Sequence, residues 1–189
     1  MTNFINNLAS SYPNTPNCLA SDKRGDFWIS EDEKTKKSYI VPSIPEQEEQ
    51  EAMLKINNPH TKDINLLCID ACLFSSADSS RCDCALFDDD KFCFCELKFD
   101  VKNMGTASRN LQKARNLQLS NTISALKSQI DFTHFSKLEA YIVLRKRLYP
   151  RQQARLTSLK TEFWDKHQVD YFEEKEIIFD TPVKKNEKM

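Results

Sequence analysis

Arg81-Cys82-Asp83-Cys84-Ala85-Leu86-Phe87-Asp88-Asp89-Asp90-Lys91-Phe92-Cys93-Phe94-Cys95-Glu96-Leu97-Lys98-Phe99 decides how this chain folds. Two apolar runs flank an acidic turn, the pattern of a β-hairpin. Asp83, Glu96 and Lys98 lie inside runs that otherwise read as buried. A buried charge is costly unless it is paired, so three together point to a shared task.

Side chains alternate faces along a strand. With a four-residue turn over residues 88–91, Phe87 faces Phe92 and Asp83 falls across from Glu96. Opposed Cβ atoms are then about 5 Å apart, where two carboxylates repel unless a cation lies between them. Lys98 continues the Glu96 face. Cys82, Cys84, Leu86, Cys93, Cys95 and Leu97 make the other face, a coherent core. A two-residue turn at Asp88-Asp89 would pair Asp83 with Phe94 and separate the acids, so the site depends on the longer turn.

Outward from the hairpin, the order of elements reads as α/β. Residues 1–22, rich in Asn, Ser and Pro, are expected to form loop. Residues 27–29 and 38–41 suggest a peripheral hairpin. A first helix is expected from Pro45, with acids in its first turn and Ala52, Met53 and Ile56 inward. Residues 64–74 read as a strand. A long helix is expected over residues 106–130, with its stripe on Leu111, Ala114, Leu117, Leu119, Ile123 and Leu126. A strand over 138–144, a helix from Pro150 to His167 and a last strand over 171–179 complete a mixed sheet flanked by helices.

The chain has 189 residues, two of them glycines, which excludes Gly-rich phosphate loops. No apolar run approaches the roughly 20 residues of a membrane span, and nothing reads as an export signal, so the expectation is cytoplasmic, with no membrane partner. Seven cysteines fit that reading if reduced and buried, and a disulfide framework is not expected. The Cys-x-Cys spacings lack the knuckle of structural zinc sites. His60, His134 and His167 are scattered, and Asp88, Asp89 and Asp90 read as a solvated turn.

The net charge of -1 conceals segregation. Residues 1–100 hold 18 acids and 10 bases, whereas residues 101–160 hold 12 bases and 2 acids. Such asymmetry points to a polyanionic partner. Arg109 and Lys113 on the long helix, with Arg145, Lys146, Arg147, Arg151 and Arg155 further on, are the candidate phosphate contacts. Oxygen ligands such as Asp83 and Glu96 suit a hard cation, Mg²⁺ or Mn²⁺, completed by substrate phosphate. A neighbouring lysine could orient or deprotonate an attacking water.

Asp83, followed on the next strand by Glu96-Leu97-Lys98, resembles the motif of the PD-(D/E)xK nuclease superfamily, whose members are restriction-endonuclease-like. The chain contains five acid-x-Lys triplets, and only this one sits in an apolar strand after an acid-bearing strand and before a helix. Cys82 stands where the family name has proline. The resemblance covers roughly residues 45–146 and implies an αβββαβ core with a helix and strand appended. It implies Asp83 and Glu96 as metal ligands and Lys98 as the catalytic lysine, with Glu49 from the first helix and Gln118 from the long helix as further catalytic candidates. The expected layout is an N-terminal arm and hairpin over 1–44, a nuclease-like domain over 45–180 and a disordered tail over 181–189. The implied function is metal-dependent hydrolysis of DNA, ahead of RNA, and endonuclease ahead of exonuclease. A homodimer or a subunit of a repair or defence complex is the implied assembly. The rival is an inactive module of this fold that binds nucleic acid or a protein.

Overall fold

The computed structural model of the chain describes residues 1–74, 80–99, 104–144 and 153–180. Two mixed sheets and a helical layer make it an α/β fold. The larger sheet has six strands in the order β1 (Leu19–Asp22), β5 (Ile64–Cys68), β6 (Cys84–Phe87), β7 (Lys91–Lys98), β8 (Lys137–Leu144) and β9 (Asp170–Phe172). Its pairs are antiparallel as far as β7 and parallel from β7 through β9. The smaller sheet has the order β10 (Glu176–Ile178), β4 (Leu54–Asn57), β2 (Asp26–Glu31) and β3 (Ser38–Ile40).

The central hairpin takes the four-residue turn. Phe87 pairs with Phe92 and Cys84 with Cys95, and the Asp88 amide donates to the Lys91 carbonyl. One face carries Ala85, Phe87, Phe92 and Phe94 into a core shared with the helices. The other turns Cys84, Leu86, Cys93, Cys95 and Leu97 toward Phe27, Ile29, Leu54 and Ile56 of the smaller sheet. Cys82 departs from the expected cysteine face and joins the helix-side core. The Asp83 carbonyl accepts from both the Ile69 and Asp70 amides, as in a β-bulge that sets two residues following β5 against one preceding β6.

Several expectations give way to tertiary packing. Residues 1–22 are not loop: α1 (Thr2–Ser11) buries Phe4 and Leu8, a one-turn α2 (Thr15–Cys18) follows, and β1 pairs with β5. The expected first helix is a single turn, α3 (Gln47–Gln50), succeeded by β4, where Leu54 and Ile56 alternate inward. The 27–41 hairpin forms but is not peripheral, since Phe27 and Ile29 are fully buried. The strand over 64–74 ends at Cys68 and gives way to a wide turn, Ile69–Leu73. Residues 171–179 serve two sheets, β9 in the larger and β10 in the smaller. The expected tail, 181–189, lies outside the described residues.

The long helix is α4 (Met104–Lys113), a π-helical stretch (Ala114–Leu119) and α5 (Ser120–Lys127) in succession. Ala114 and Leu119, five apart, are both buried, whereas Leu117 is exposed. Bonding from i to i+5 puts residues five apart on one face, which removes Leu117 from the stripe. On α6 (Gln153–His167), Phe163 is buried, and His167 accepts or donates a 2.8 Å hydrogen bond with the Ser120 hydroxyl. Among the described residues no helix is long and apolar enough to cross a membrane.

Cys18 and Cys72 form a disulfide, against the expectation of reduced cysteines throughout. It ties α2 to the wide turn. The other five cysteines among the described residues are free and buried. Closing a loop of 54 residues restricts the unfolded chain by about 4 kcal/mol on a chain-entropy estimate. A Cys18→Ser, Cys72→Ser double variant is therefore expected to melt well below the oxidised wild type, and dithiothreitol is expected to lower the wild-type melting temperature toward the variant's. Indifference of the wild type to the reductant, with the thiols shown to be free, would contradict the assignment.

Candidate active site

β6 runs away from the edge of the sheet at which β7 ends, so Asp83, just ahead of β6, and Glu96, near the end of β7, meet at one edge. The observed register, continued one residue beyond Cys84 and Cys95, sets Asp83 across from Glu96. Glu96 is fully buried and Asp83 nearly so. The Leu97 amide donates to Asp83 Oδ2 at 2.5 Å. Lys98 Nζ donates to Glu96 Oε1, the same-side relation expected of residues two apart on a strand. Glu96 Oε2 is buried with no hydrogen-bond partner among the described residues.

Burial dominates the electrostatics. It drives the Asp83 carboxyl up to about 7 from an ordinary 3.8, although the Lys98 charge and the Leu97 amide work the other way. Glu96 is raised well above its ordinary range, by burial first and then by the charge of Asp83, with Lys98 opposing. Each acid is thus held toward its neutral form, as expected for adjacent carboxyls taken out of water.

The segment leading into Asp83 is gripped by the helix across from it. Gln118 Nε2 donates to the Arg81 carbonyl at 3.3 Å, and Asn121 Nδ2 to the Ser80 carbonyl at 3.3 Å. The Cys82 amide donates to Thr122 Oγ1 at 2.8 Å, and the Thr122 hydroxyl to the Gln118 carbonyl. Gln118, expected as a catalytic group, thereby holds the backbone two residues before Asp83, and its Oε1 is buried without a partner among the described residues. Thr122 and Asn121 were not anticipated. Their signal is a pair of polar residues at positions 121 and 122 between the buried Leu119 and Ile123.

The structure does not bring Glu49 to the pair. It is exposed on α3, where its carboxylate accepts from the Glu46 amide and completes a capping box. The acids whose charges act on Asp83 are Glu31 and Asp70. Asp70 acts on Glu96 as well. It stands at the start of the wide turn, directly beside the Asp83 carbonyl that its own amide contacts. In the sequence it is an isolated acid after the apolar run of β5.

Arg109 and Lys113, one turn apart, are exposed on α4, and Arg155 is exposed on α6. Arg145, Lys146, Arg147 and Arg151 lie outside the described residues. Missed at the sequence level is Arg81, whose guanidinium stacks 4.7 Å from the Phe74 ring centre and whose Nε is buried without a partner among the described residues.

No model of a known protein family, no curated protein and no solved structure matches the chain. Among the described residues, no three His, Cys, Asp or Glu side chains converge in a direct metal-ligand arrangement. The donors at the candidate site are carboxylate oxygens, and Glu96 Oε2 is an orphaned buried acceptor. That set fits Mg²⁺ or Mn²⁺, which takes one or two carboxylates and keeps several waters.

In the unfolded chain Asp83 releases its proton near 3.8, in the folded protein near 7. Between those values the folded state binds the extra proton, so its stability falls as pH rises through that window. His167 works oppositely: burial lowers it to about 4, so its contribution is lost as pH falls from 6.5 toward 4. Asp83→Asn isolates the first effect. Melting curves from pH 5 to 8, without divalent cations, are expected to show a smaller decline for the variant than for the wild type. Parallel profiles would show that the Asp83 carboxyl is not strained by burial.

Proposed function

We propose that this chain is a metal-dependent phosphodiesterase acting on nucleic acid, DNA ahead of RNA, with a restriction-endonuclease-like core. The observation that carries the reading is the Asp83–Glu96 pair: two buried carboxyls at one sheet edge, Lys98 on one oxygen of Glu96 and the other oxygen without a hydrogen-bond partner among the described residues. The strand sequence β5, β6, β7, then a long helix, then β8 parallel to β7, supports the resemblance in its βββαβ part. The helix that would precede β5 is reduced to one turn, and β4 stands between them.

Asp83 and Glu96 would hold the ion through carboxylate oxygens. When bound, Mg²⁺ or Mn²⁺ supplies Lewis acidity for the scissile phosphate and lowers the proton affinity of water. Lys98 is placed on the ligand Glu96, where it orients that carboxylate and can hold or accept a proton from an incoming water. The Leu97 amide fixes Asp83 from the backbone, which a side-chain substitution cannot remove. Gln118, Asn121 and Thr122 set the height of the strand that delivers Asp83. The exposed Arg109, Lys113 and Arg155 offer phosphate contacts, with the basic residues 145–151 as further candidates.

Incubation of plasmid and single-stranded DNA with the wild type is expected to give cleavage that requires Mg²⁺ or Mn²⁺ and stops with EDTA. Asp83→Ala and Glu96→Ala are expected to abolish it, and Lys98→Ala to slow it by about 100-fold or more. Full cutting by Lys98→Ala would remove the role assigned to that lysine. Absence of cutting by the wild type on DNA and RNA, alongside salt-sensitive binding, would favour the non-catalytic binding module.

A further inference from the structure

The wide turn after β5 is an expensive piece of backbone. Asp70 and Ala71 leave helical geometry within it, and Ala71 is left-handed at φ 55°. A non-glycine residue in that region is strained and persists where its surroundings over-determine it. Here they do. Asp70 Oδ1 accepts from the Ala71 amide at 3.0 Å, and the Phe74 amide closes the turn on the Ile69 carbonyl at 3.1 Å. The Cys18–Cys72 disulfide clamps it from outside, and Asn14 Nδ2 donates to the Cys72 carbonyl at 2.8 Å.

What the clamped turn holds in place is Asp70, half-buried, at the same sheet edge as Asp83 and Glu96. Its amide and that of Ile69 share the Asp83 carbonyl, so its position is coupled to that of Asp83 by backbone alone. The charges of Asp70 and Lys98 both act on Asp83 and Glu96, and that of Glu31 acts on Asp83 as well. Glu96 Oε2, fully buried, has no hydrogen-bond partner among the described residues.

We propose that Asp70 is a third acidic member of the site, a positioning residue that holds a divalent cation through the ion's own water rather than by direct ligation. The inference rests on the reading of Asp83 and Glu96 as metal ligands. It accords with the lack of a directly converging trio among the described residues, because a hydrated Mg²⁺ or Mn²⁺ reaches further than a bare ion. One Asp70 oxygen is engaged by Ala71, which leaves the other to accept from such a water. Carboxylates that accept from an ion's bound waters or ligands fix its hydration and typically carry 10- to 100-fold in affinity.

Asp70→Asn deletes the charge and keeps an oxygen to accept from the Ala71 amide. Asp70→Ser does the same with a hydroxyl, a second variant should the first fail to fold. Calorimetric titration with Mn²⁺ alone, beside thermal melts without metal, is expected to show wild-type binding and an affinity about tenfold weaker in the folded Asp70 variant, at a melting temperature close to wild type. Glu96→Gln is expected to remove binding. Wild-type affinity in a folded Asp70 variant would overturn the inference while leaving the Asp83–Glu96 site intact. Absence of binding by the wild type would overturn the metal reading itself.

Discussion

The fold depends on how Asp88 locks one turn. Its Oδ1 accepts from the Asp90 and Lys91 amides at 2.8 Å each, its own amide donates to the Lys91 carbonyl, and its Oδ2 pairs with Lys62 at 2.7 Å. Asp88 is consequently buried, not the solvated turn residue that its acidic neighbours suggest. Lys91 then pairs with Glu139 at 2.7 Å and donates to the Ile178 carbonyl of the smaller sheet. This polar knot sets Phe87 against Phe92, ring centres 5.3 Å apart and nearly parallel. A slip of one residue would send every hairpin side chain to the wrong face. The register made at the turn therefore decides what meets at the far end of the hairpin, where Asp83 lies across from Glu96.

The two ends of the hairpin treat charge differently. At the turn, Lys91 and Glu139 are paired, and Tyr141 adds a 2.8 Å bond to the same Glu139 oxygen, so the buried charges are compensated. At the other end Lys98 acts on both acids, and among the described residues Glu96 Oε2 has no hydrogen-bond partner. Between them lie aromatic and aliphatic layers that can bear the cost: Phe4, Phe87, Phe92, Phe94, Phe132 and Phe135 on the helix side, and cysteines with β-branched and leucine side chains on the other. Burial keeps the Cys82, Cys93 and Cys95 thiols from ionising, so those residues serve as small apolar filling.

The hairpin, its turn and the convergence of its acids were legible because alternation in two apolar strands leaves few registers open. The helix expected over 45–56 was not, because Ala52, Met53 and Ile56 fit a helical stripe about as well as Leu54 and Ile56 fit a strand, and short apolar runs do not decide between them. What decided it was the partner β2 across the sheet. α1 carried its signal in Phe4 and Leu8, four apart, but its Asn and Ser content hid it. The Cys18–Cys72 bridge joins residues far apart in sequence, and spacing carries no trace of such a pairing. Asp70 was missed because its place beside Asp83 comes from a bulge and a left-handed Ala71, both set by tertiary contacts.

A fold selected for stability alone would not keep this sheet edge as it is. Replacing buried ionisable groups by apolar ones of similar size is often neutral or favourable, whereas leaving them half-compensated is costly. The apolar alternative is close at hand, since Leu, Phe and Cys already occupy the neighbouring positions of β6 and β7. Three side chains of one helix and a bulge hold the backbone around Asp83, and a disulfide ties down the strained turn beside it. Local conflicts of this sort are where natural proteins give up stability for a task. The task must explain why, among the described residues, these two carboxyls are accompanied by Lys98 and leave one buried oxygen without a hydrogen-bond partner. On the metal-dependent reading proposed above, a divalent cation would compensate those carboxyls once they release their protons.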